Sequence, residues 1–266
     1  MIIAQITDLH ITLPGKPLQR RVDTGSYLKQ AIAKIQALNP QPAVLLVTGD
    51  LVESGAREEY EYLRQLLAPL ALPIYVIPGN HDDRETMRQA FSDHDYLPRE
   101  GFLHYVIDEF PVRLIGLDTL IPRKTDGELC GERLAWLGRA LQKESEKASL
   151  ILMHHPPFVT SIVHMDQWGF RNPDDLANII RRHPQVERIV CGHVHRPIQA
   201  RFAGTLAVTC PSTAHQIDFD LRPNAPVAFV MEPPGLMLHI WNGNSMATHT
   251  LYTGTHDGPY VYGASA

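Results

Sequence analysis

Cysteine is scarce: Cys130, Cys191 and Cys210 are the only three among 266 residues, and no two form a CxxC pair. An odd number without that spacing excludes the usual cysteine motifs and leaves three buried or unremarkable thiols. Long apolar runs are missing too, none approaching the roughly 18 residues that a membrane span needs. The start, Met-Ile-Ile-Ala-Gln-Ile-Thr-Asp, lacks the basic opening and extended apolar segment of a signal peptide. A cytoplasmic protein without a membrane partner is the expectation. Charge of one sign is nowhere concentrated, and the net charge is only −5; this argues against a nucleic-acid polymer as partner. There is no internal repeat and no low-complexity linker. With 44% apolar and 20% charged residues, one large globular domain, or one with a small appendage, fits the length. Histidine is the abundant residue, with 14 copies, several in tight groups.

Apolar periodicity divides the chain into two regimes. Ile2–Ile6, Ala43–Val47 and Ile74–Ile77 read as buried strands, separated by amphipathic helices over Tyr27–Leu38 and Ala56–Leu67 and followed by one over Arg84–Phe91. Asp82 or Asp83 is positioned to cap that last helix. Strand–helix repetition of this kind signals layered α/β architecture with crossover connections. Beyond it, Leu103–Ile107 and Val112–Leu117 suggest a hairpin. A helix over Gly131–Leu141, a strand Leu150–Met153, a helix Asp174–Arg182 and a strand Val186–Cys191 follow. Residues from Pro197 onward look mostly β, including Ile198–Phe202, Thr205–Thr209, Val227–Met231, Leu236–Trp241 and Thr248–Tyr252. The expected fold is a four-layer α-β-β-α sandwich with a small C-terminal β extension. Residues 1–200 would form the catalytic core, and 201–266 the remaining strands and extension, in the same domain or as a small cap. The aromatic, glycine-rich segment Gly254–Ala266 would pack on the domain or on another subunit of a homo-oligomer.

Five of the apparent strands end in metal-binding side chains: Asp8 and His10, Asp50, Asn80 and His81, His154 and His155, and His193 and His195. Sites in α/β sheets gather beyond the carboxyl ends of strands, so convergence would bring together enough donors for two metal ions. Imidazole with carboxylate favours Zn, Mn, Fe or Co over Ca or Mg. A carboxylate between two such ions can bridge them at roughly 3.5–4 Å. Gly49, Gly79 and Gly192 precede ligand positions, where they allow close backbone approach and unusual dihedral angles. Two divalent ions carry four positive charges, of which Asp8 and Asp50 would cancel two. The remainder matches one hydroxide and one phosphodiester monoanion.

The set Asp-x-His (8, 10), Gly-Asp (49, 50), Gly-Asn-His-Asp (79–82), His154 and Gly-His-x-His (192–195) resembles the calcineurin-like metallophosphoesterase superfamily, in family order. "GNHDD" at 79–83, "MHHPP" at 153–157 and "TAHQ" at 213–216 are similar to its class III cyclic-nucleotide phosphodiesterase and glycerophosphodiesterase branch. The resemblance implies a binuclear-metal phosphodiesterase acting on small diesters by in-line attack of a metal-activated hydroxide. A phosphomonoesterase and a non-catalytic scaffold of the same fold are the alternatives. It further implies that Asp8, His10 and His195 hold one ion, that Asn80, His154 and His193 hold the other, and that Asp50 bridges. Asp50 and His81 would be catalytic; Asn80, His81 and His215 would meet substrate. For His155, a hydrogen bond beside the ligands, a place in the pocket and plain packing all stay open. Arg20, Arg21 and Asp23 could contact a phosphate or base, or form a solvated turn. His164, Asp166 and Trp168 could line the pocket, though a surface loop is the better reading, and Cys191 reads as a buried strand thiol.

Overall fold

In the computed structural model, which describes residues 1–262, the chain alternates strand and helix through its first half. The elements are β1 (Ile2–Ile6), α1 (Thr24–Gln36), β2 (Val44–Thr48), α2 (Arg57–Leu67), β3 (Ile74–Ile77), α3 (Arg84–Ala90), β4 (Tyr105–Ile107), β5 (Arg113–Gly116), α4 (Gly131–Lys143), β6 (Ser149–Leu152), α5 (Val163–Gln167), α6 (Pro173–Ile180) and β7 (Val186–Cys191). The remainder is β: β8 (Ile198–Phe202), β9 (Thr205–Thr209), β10 (Gln216–Ile217), β11 (Phe229–Val230), β12 (Gly235–Trp241) and β13 (Met246–Tyr252).

Two mixed sheets result. One has the order β13-β12-β1-β2-β3 and the other β4-β5-β6-β7-β9-β8. Strands β1, β2 and β3 run parallel, as do β5, β6, β7 and β9. Alternation across the pleat explains the layering. Leu114, Leu150, Leu152, Val190 and Val208 join the cluster shared with the first sheet, α1, α2 and α3. Their neighbours Ile115, Ile151, Ile189 and Ala207 belong to a second cluster with Leu137 and Leu141 of α4 and with Leu176, Ile179 and Ile180 of α6. Both faces of each sheet are therefore covered, which is why the parallel strands are continuously apolar. The expected four-layer α-β-β-α order is present. Strands that follow residue 200 complete both sheets, β8 and β9 in one and β12 and β13 in the other. No helix among the described residues is long and apolar enough to cross a membrane.

Element boundaries depart from periodicity in two places. Helix α1 begins at Thr24 rather than Tyr27, because Asp23 caps it by accepting from the Ser26 amide and hydroxyl; this settles Asp23 as a capping residue. The expected strand Val227–Met231 shrinks to Phe229–Val230, paired only with Gln216–Ile217, and Val227 and Met231 are exposed. Residues 263–266 of the expected packing segment lie outside the described residues. Its Tyr260 and Tyr262 are 80% and 104% exposed, so they do not pack on the domain.

A buried polar cluster seals the junction between α3, β5 and α4. Asp118 accepts from Arg84 Nε at 2.6 Å and from the Leu103 amide at 3.0 Å, while its own amide donates to His104 Nδ1 at 3.0 Å. The His104 proton therefore resides on Nε2, and the ring stacks on Trp136 at 4.8 Å. Burial, reinforced by Arg133 and Arg84 and only partly offset by Asp118, pushes the His104 pKa down to about 4. Between that value and the ordinary 6.5 the unfolded chain binds more protons at this position than the folded one. Its contribution is complete above pH 6.5 and is lost as pH falls toward 4, by about 3 kcal/mol. Urea unfolding of wild type and His104→Asn across pH 4–7.5 tests this: wild type should lose more stability on the acid side. Parallel curves would refute it.

Candidate metal centre

The carboxyl ends of β1, β2 and β3 from one sheet meet those of β6 and β7 from the other at one edge of the sandwich. Asp8 N donates to Gly49 O at 3.1 Å and His10 N to Asp50 O at 3.0 Å, locking the first two loops together. Gly192 N donates to His154 O at 2.9 Å, and His193 N meets both Asp8 carboxylate oxygens at 3.0 Å, which joins the two sheets. These kinked endings place Asp8, His10, Asp50, His193 and His195 at φ of 49°, 44°, 48°, 70° and 53°. Non-glycine residues rarely adopt this left-handed region, and each such position costs about 1 kcal/mol or more, a pattern that marks functional sites. The unusual dihedrals expected of the glycines thus fall mainly on the ligand positions themselves. Gly49 does have φ 92°, and a Cβ there would strike the His154 ring. Gly79 has no positive φ but lies against the Asp50 amide and carboxylate, where a Cβ has no room.

All seven sequence-selected ligand positions converge, in two sets that share one carboxylate. In the first, His10 Nε2 lies 3.2 Å from His195 Nε2, and His195 Nε2 lies 3.4 Å from Asp8 Oδ1. In the second, Asn80 Oδ1 lies 3.2 Å from His154 Nε2 and 3.0 Å from His193 Nδ1. Asp50 Oδ2 stands between the sets, 3.6 Å from His10 Nε2 and 3.4 Å from His154 Nε2. Its Oδ1 accepts from the His81 amide at 2.8 Å, which fixes the carboxylate plane.

The opposite ring nitrogens show that these donors suit a cation. His154 Nδ1 donates to Thr48 O (2.9 Å), His193 Nε2 to Trp168 O (3.0 Å) and His195 Nδ1 to His215 O (3.1 Å). His10 Nδ1 meets the Glu53 carboxylate at 2.7 Å. A carbonyl or carboxylate only accepts, so one ring proton of each histidine is committed outward, and the inner nitrogen of each neutral ring keeps its lone pair for a cation. Metal-ligating histidines are oriented in this way. Burial opposes charge on Asp8 and Asp50, yet His195 beside the first and His154 beside the second hold both carboxyls below the usual range. Burial pushes His10 down and His193 down to about 3, keeping these imidazoles neutral. His154 is opposite: against burial, Asp50 and Asp8 push it up to about 9. The proton it would carry at Nε2 stands where a metal cation would bind.

The other candidates separate by their partners. His81, half-buried, donates Nδ1–H to Glu53 O at 2.8 Å, and its ring meets the His10 ring edge-on at 4.6 Å. His215 packs between His195 and Phe229 at 4.6 and 5.3 Å, and its buried Nδ1 has no partner among the described residues. His155 has both nitrogens engaged, with Thr119 Oγ1 at 2.8 Å and Thr125 O at 3.0 Å, so it has no lone pair left for a metal. Arg20 and Arg21 are exposed and absent from the walls of the central cavity. Cys191 is fully buried. The segment read as a surface loop is otherwise: His164 and Met165 are buried in α5, Asp166 accepts from Thr160 and Ser161, and Trp168 lines the cavity. Asp83 is the cap of α3. Asp82 is instead a buried brace for the Leu51 and Gly79 amides and the Tyr60 hydroxyl, pushed up to about 6 by burial and by Asp50. Glu53, which holds His10 and His81 together, escaped sequence reasoning; its only signal was an acidic residue three positions after Asp50.

The donors open into a cavity of about 400 Å³ whose walls include Glu53, Trp168, Ile217 and Phe229 but, among the described residues, no Lys or Arg.

The calcineurin-like phosphoesterase family profile matches residues 1–197. The chain belongs to that family, as its five motif blocks implied. Over 98% of its length it is 39% identical to the probable glycerophosphodiester phosphodiesterase GpdQ of Arcobacter nitrofigilis, covering 97% of that protein. Over 85% it is 29% identical to the 3′,5′-cyclic adenosine monophosphate phosphodiesterase CpdA of Pseudomonas aeruginosa, covering 83% of it. Among solved structures, the yellow lupin purple acid phosphatase PPD1 superposes with a TM-score of 0.69 at 14% identity, over 94% of this chain and 51% of that one. A dimetal phosphatase from Danio rerio gives 0.63 at 12%, over 95% and 99%. These two likenesses show the shared metallophosphoesterase fold.

Removing the Glu53 carboxylate frees the His10 ring. Glu53→Ala should weaken Mn(II) binding at the site formed by Asp8, His10 and His195 by about 10- to 100-fold, the usual cost of losing such a partner. Titration calorimetry of the metal-free protein measures it, and an unchanged affinity would refute the role.

Proposed function

We propose that this protein is a metal-dependent phosphodiesterase that hydrolyses small diesters: 3′,5′-cyclic nucleotides, glycerophosphodiesters or both. The observation that carries this reading is the pairing of two donor sets through Asp50 in a cavity walled without Lys or Arg. With one hydroxide counted, two divalent ions and the Asp8 and Asp50 carboxylates leave a single positive charge, which a diester monoanion matches and a phosphomonoester dianion exceeds. Both named activities of the similar proteins support the diester class.

Asp8, His10 and His195 would hold one ion, Asn80, His154 and His193 the other, with Asp50 shared. Two transition ions, Fe, Mn, Zn or Co, would supply Lewis acidity toward phosphoryl oxygens and lower the pKa of water. Asn80 contributes a neutral carbonyl where the other set has a carboxylate, which makes the second site the weaker and more exchangeable. His81 Nδ1 is committed to Glu53 O, so only Nε2 is left for substrate. When the ring is protonated, Nε2 donates to a non-bridging phosphoryl oxygen or to the departing alkoxide. His215, with its unpartnered Nδ1, stands on the same wall as Phe229 and would contact the organic part of the diester. A homo-oligomer belongs to the same reading, supported by the exposed Phe219, Tyr260 and Tyr262.

The test is turnover of bis(p-nitrophenyl) phosphate against p-nitrophenyl phosphate by metal-loaded protein, followed by cyclic AMP and glycerophosphoethanolamine. The diester should show the higher kcat/KM, and Asp50→Ala and His193→Ala should each lose at least about 100-fold, beyond the cost of losing a ligand's partner. Equal rates in variants and wild type would sink the assignment; a preference for the monoester would move it to the phosphomonoesterases.

A further inference from the structure

One continuous chain of buried polar groups crosses the layer between the two sheets and ends at the metal centre. Gln5 lies on β1, fully buried. Its Nε2 donates to Thr48 Oγ1 on β2 at 2.8 Å and to Cys191 O on β7, in the opposite sheet, at 3.0 Å. Its Oε1 accepts from His239 Nε2 on β12 at 2.9 Å. His239 Nδ1 lies 2.8 Å from Thr248 Oγ1 on β13, and Arg188 on β7 donates to that hydroxyl and, at 2.8 Å, to Met246 O. The proton directions are determinate. The Cys191 carbonyl only accepts, so Gln5 Nε2 faces it and Gln5 Oε1 faces His239; His239 Nε2 therefore donates, and its Nδ1 accepts from the Thr248 hydroxyl, which accepts from Arg188.

The two amide hydrogens of Gln5 reach the last residues before two ligand loops. Thr48 precedes Gly49-Asp50, and its carbonyl orients the His154 ring. Cys191 precedes Gly192-His193. One planar amide group therefore holds the strand end that carries the shared carboxylate and the strand end that carries His193 and His195. A buried polar network of this kind contributes uniqueness of geometry more than net stability, since apolar residues could fill the same volume.

We propose that Gln5 is a positioning residue that sets the distance between the Asp50 and His193 loops and thereby the geometry of the second metal site. This rests on the two-ion reading of the site and goes beyond it, for Gln5 touches neither ligand nor substrate. Gln5→Glu keeps an acceptor for His239 but loses both hydrogens; Gln5→Leu loses all three contacts; Thr48→Val removes one contact with almost no change of shape. His239→Leu leaves both forward contacts of Gln5 and serves as the control for core damage.

Equilibrium dialysis of Mn(II), with the exchange-coupled electron paramagnetic resonance signal of the Mn pair, reads the geometry without any turnover. Gln5→Glu and Gln5→Leu should bind the second ion about tenfold more weakly and lose or shift the coupled signal. Thr48→Val should show a smaller change in the same sense, and His239→Leu should lower the melting temperature while both ions stay bound as in wild type. If the Gln5 variants fail to fold, Thr48→Val alone decides: an unchanged second-site affinity and coupled signal would overturn the proposal. Gln5 variants that lose only melting temperature, like His239→Leu, would overturn it too. A wild type that binds two Mn(II) ions and yet turns over no diester leaves this inference standing while removing the functional one.

Discussion

One oxygen atom, Asp50 Oδ2, organises the centre. It stands 3.6 Å from His10 Nε2 and 3.4 Å from His154 Nε2, and so belongs to two donor sets, each of which draws on both sheets. The carboxylate keeps that place because its other oxygen is tied to the His81 amide and because Gly79 leaves it room. Shift the β2–α2 loop, and the first set loses its neighbour to the second. Everything else about the site, including the orientation of four imidazoles by a carboxylate and three carbonyls, refines a geometry that this residue makes possible.

Such a geometry is locally unfavourable. Five of the candidate ligand positions adopt left-handed backbone, and the inner nitrogens of His10 and His195 face each other across 3.2 Å. The apolar layers on both sides of each sheet tolerate this, since two extensive buried clusters hold the strands while only their ends are strained. Strain at the ends and rigidity in the middle are two sides of one arrangement: a soft scaffold would relax the loops and scatter the donors.

The ligand positions were legible in the sequence because metal binding restricts residue type, and Asp, Asn and His clustered after apolar runs are hard to produce otherwise. The layers were legible for a similar reason, the alternation of inward and outward apolar residues. What was not legible has no residue-type signature. Any residue has a carbonyl, so the grips of Thr48, Trp168 and His215 on His154, His193 and His195 leave no trace. Left-handed φ at a histidine is equally silent. Gln5 looks like one polar residue in a strand, and only the register across to Cys191 gives it a role. Trp168 was misplaced because the short helix α5 that turns it inward is only five residues long, too brief for a periodic signal.

The missing cationic side chains in the cavity wall have a thermodynamic consequence. Without bound ions the carboxylates of Asp8, Asp50 and Glu53 are offset only in part by the His154 proton, which leaves no net positive charge to hold a phosphate. With them the pocket attracts it. Anion affinity and metal affinity are then coupled quantities, and coupling is reciprocal: whatever factor the second ion adds to the grip on a phosphodiester, the phosphodiester adds to the grip on the second ion. On the proposed two-ion reading, the site completed by the neutral Asn80 would be the weaker one and would gain most from that mutual reinforcement, so substrate supply itself would become part of what keeps the centre binuclear.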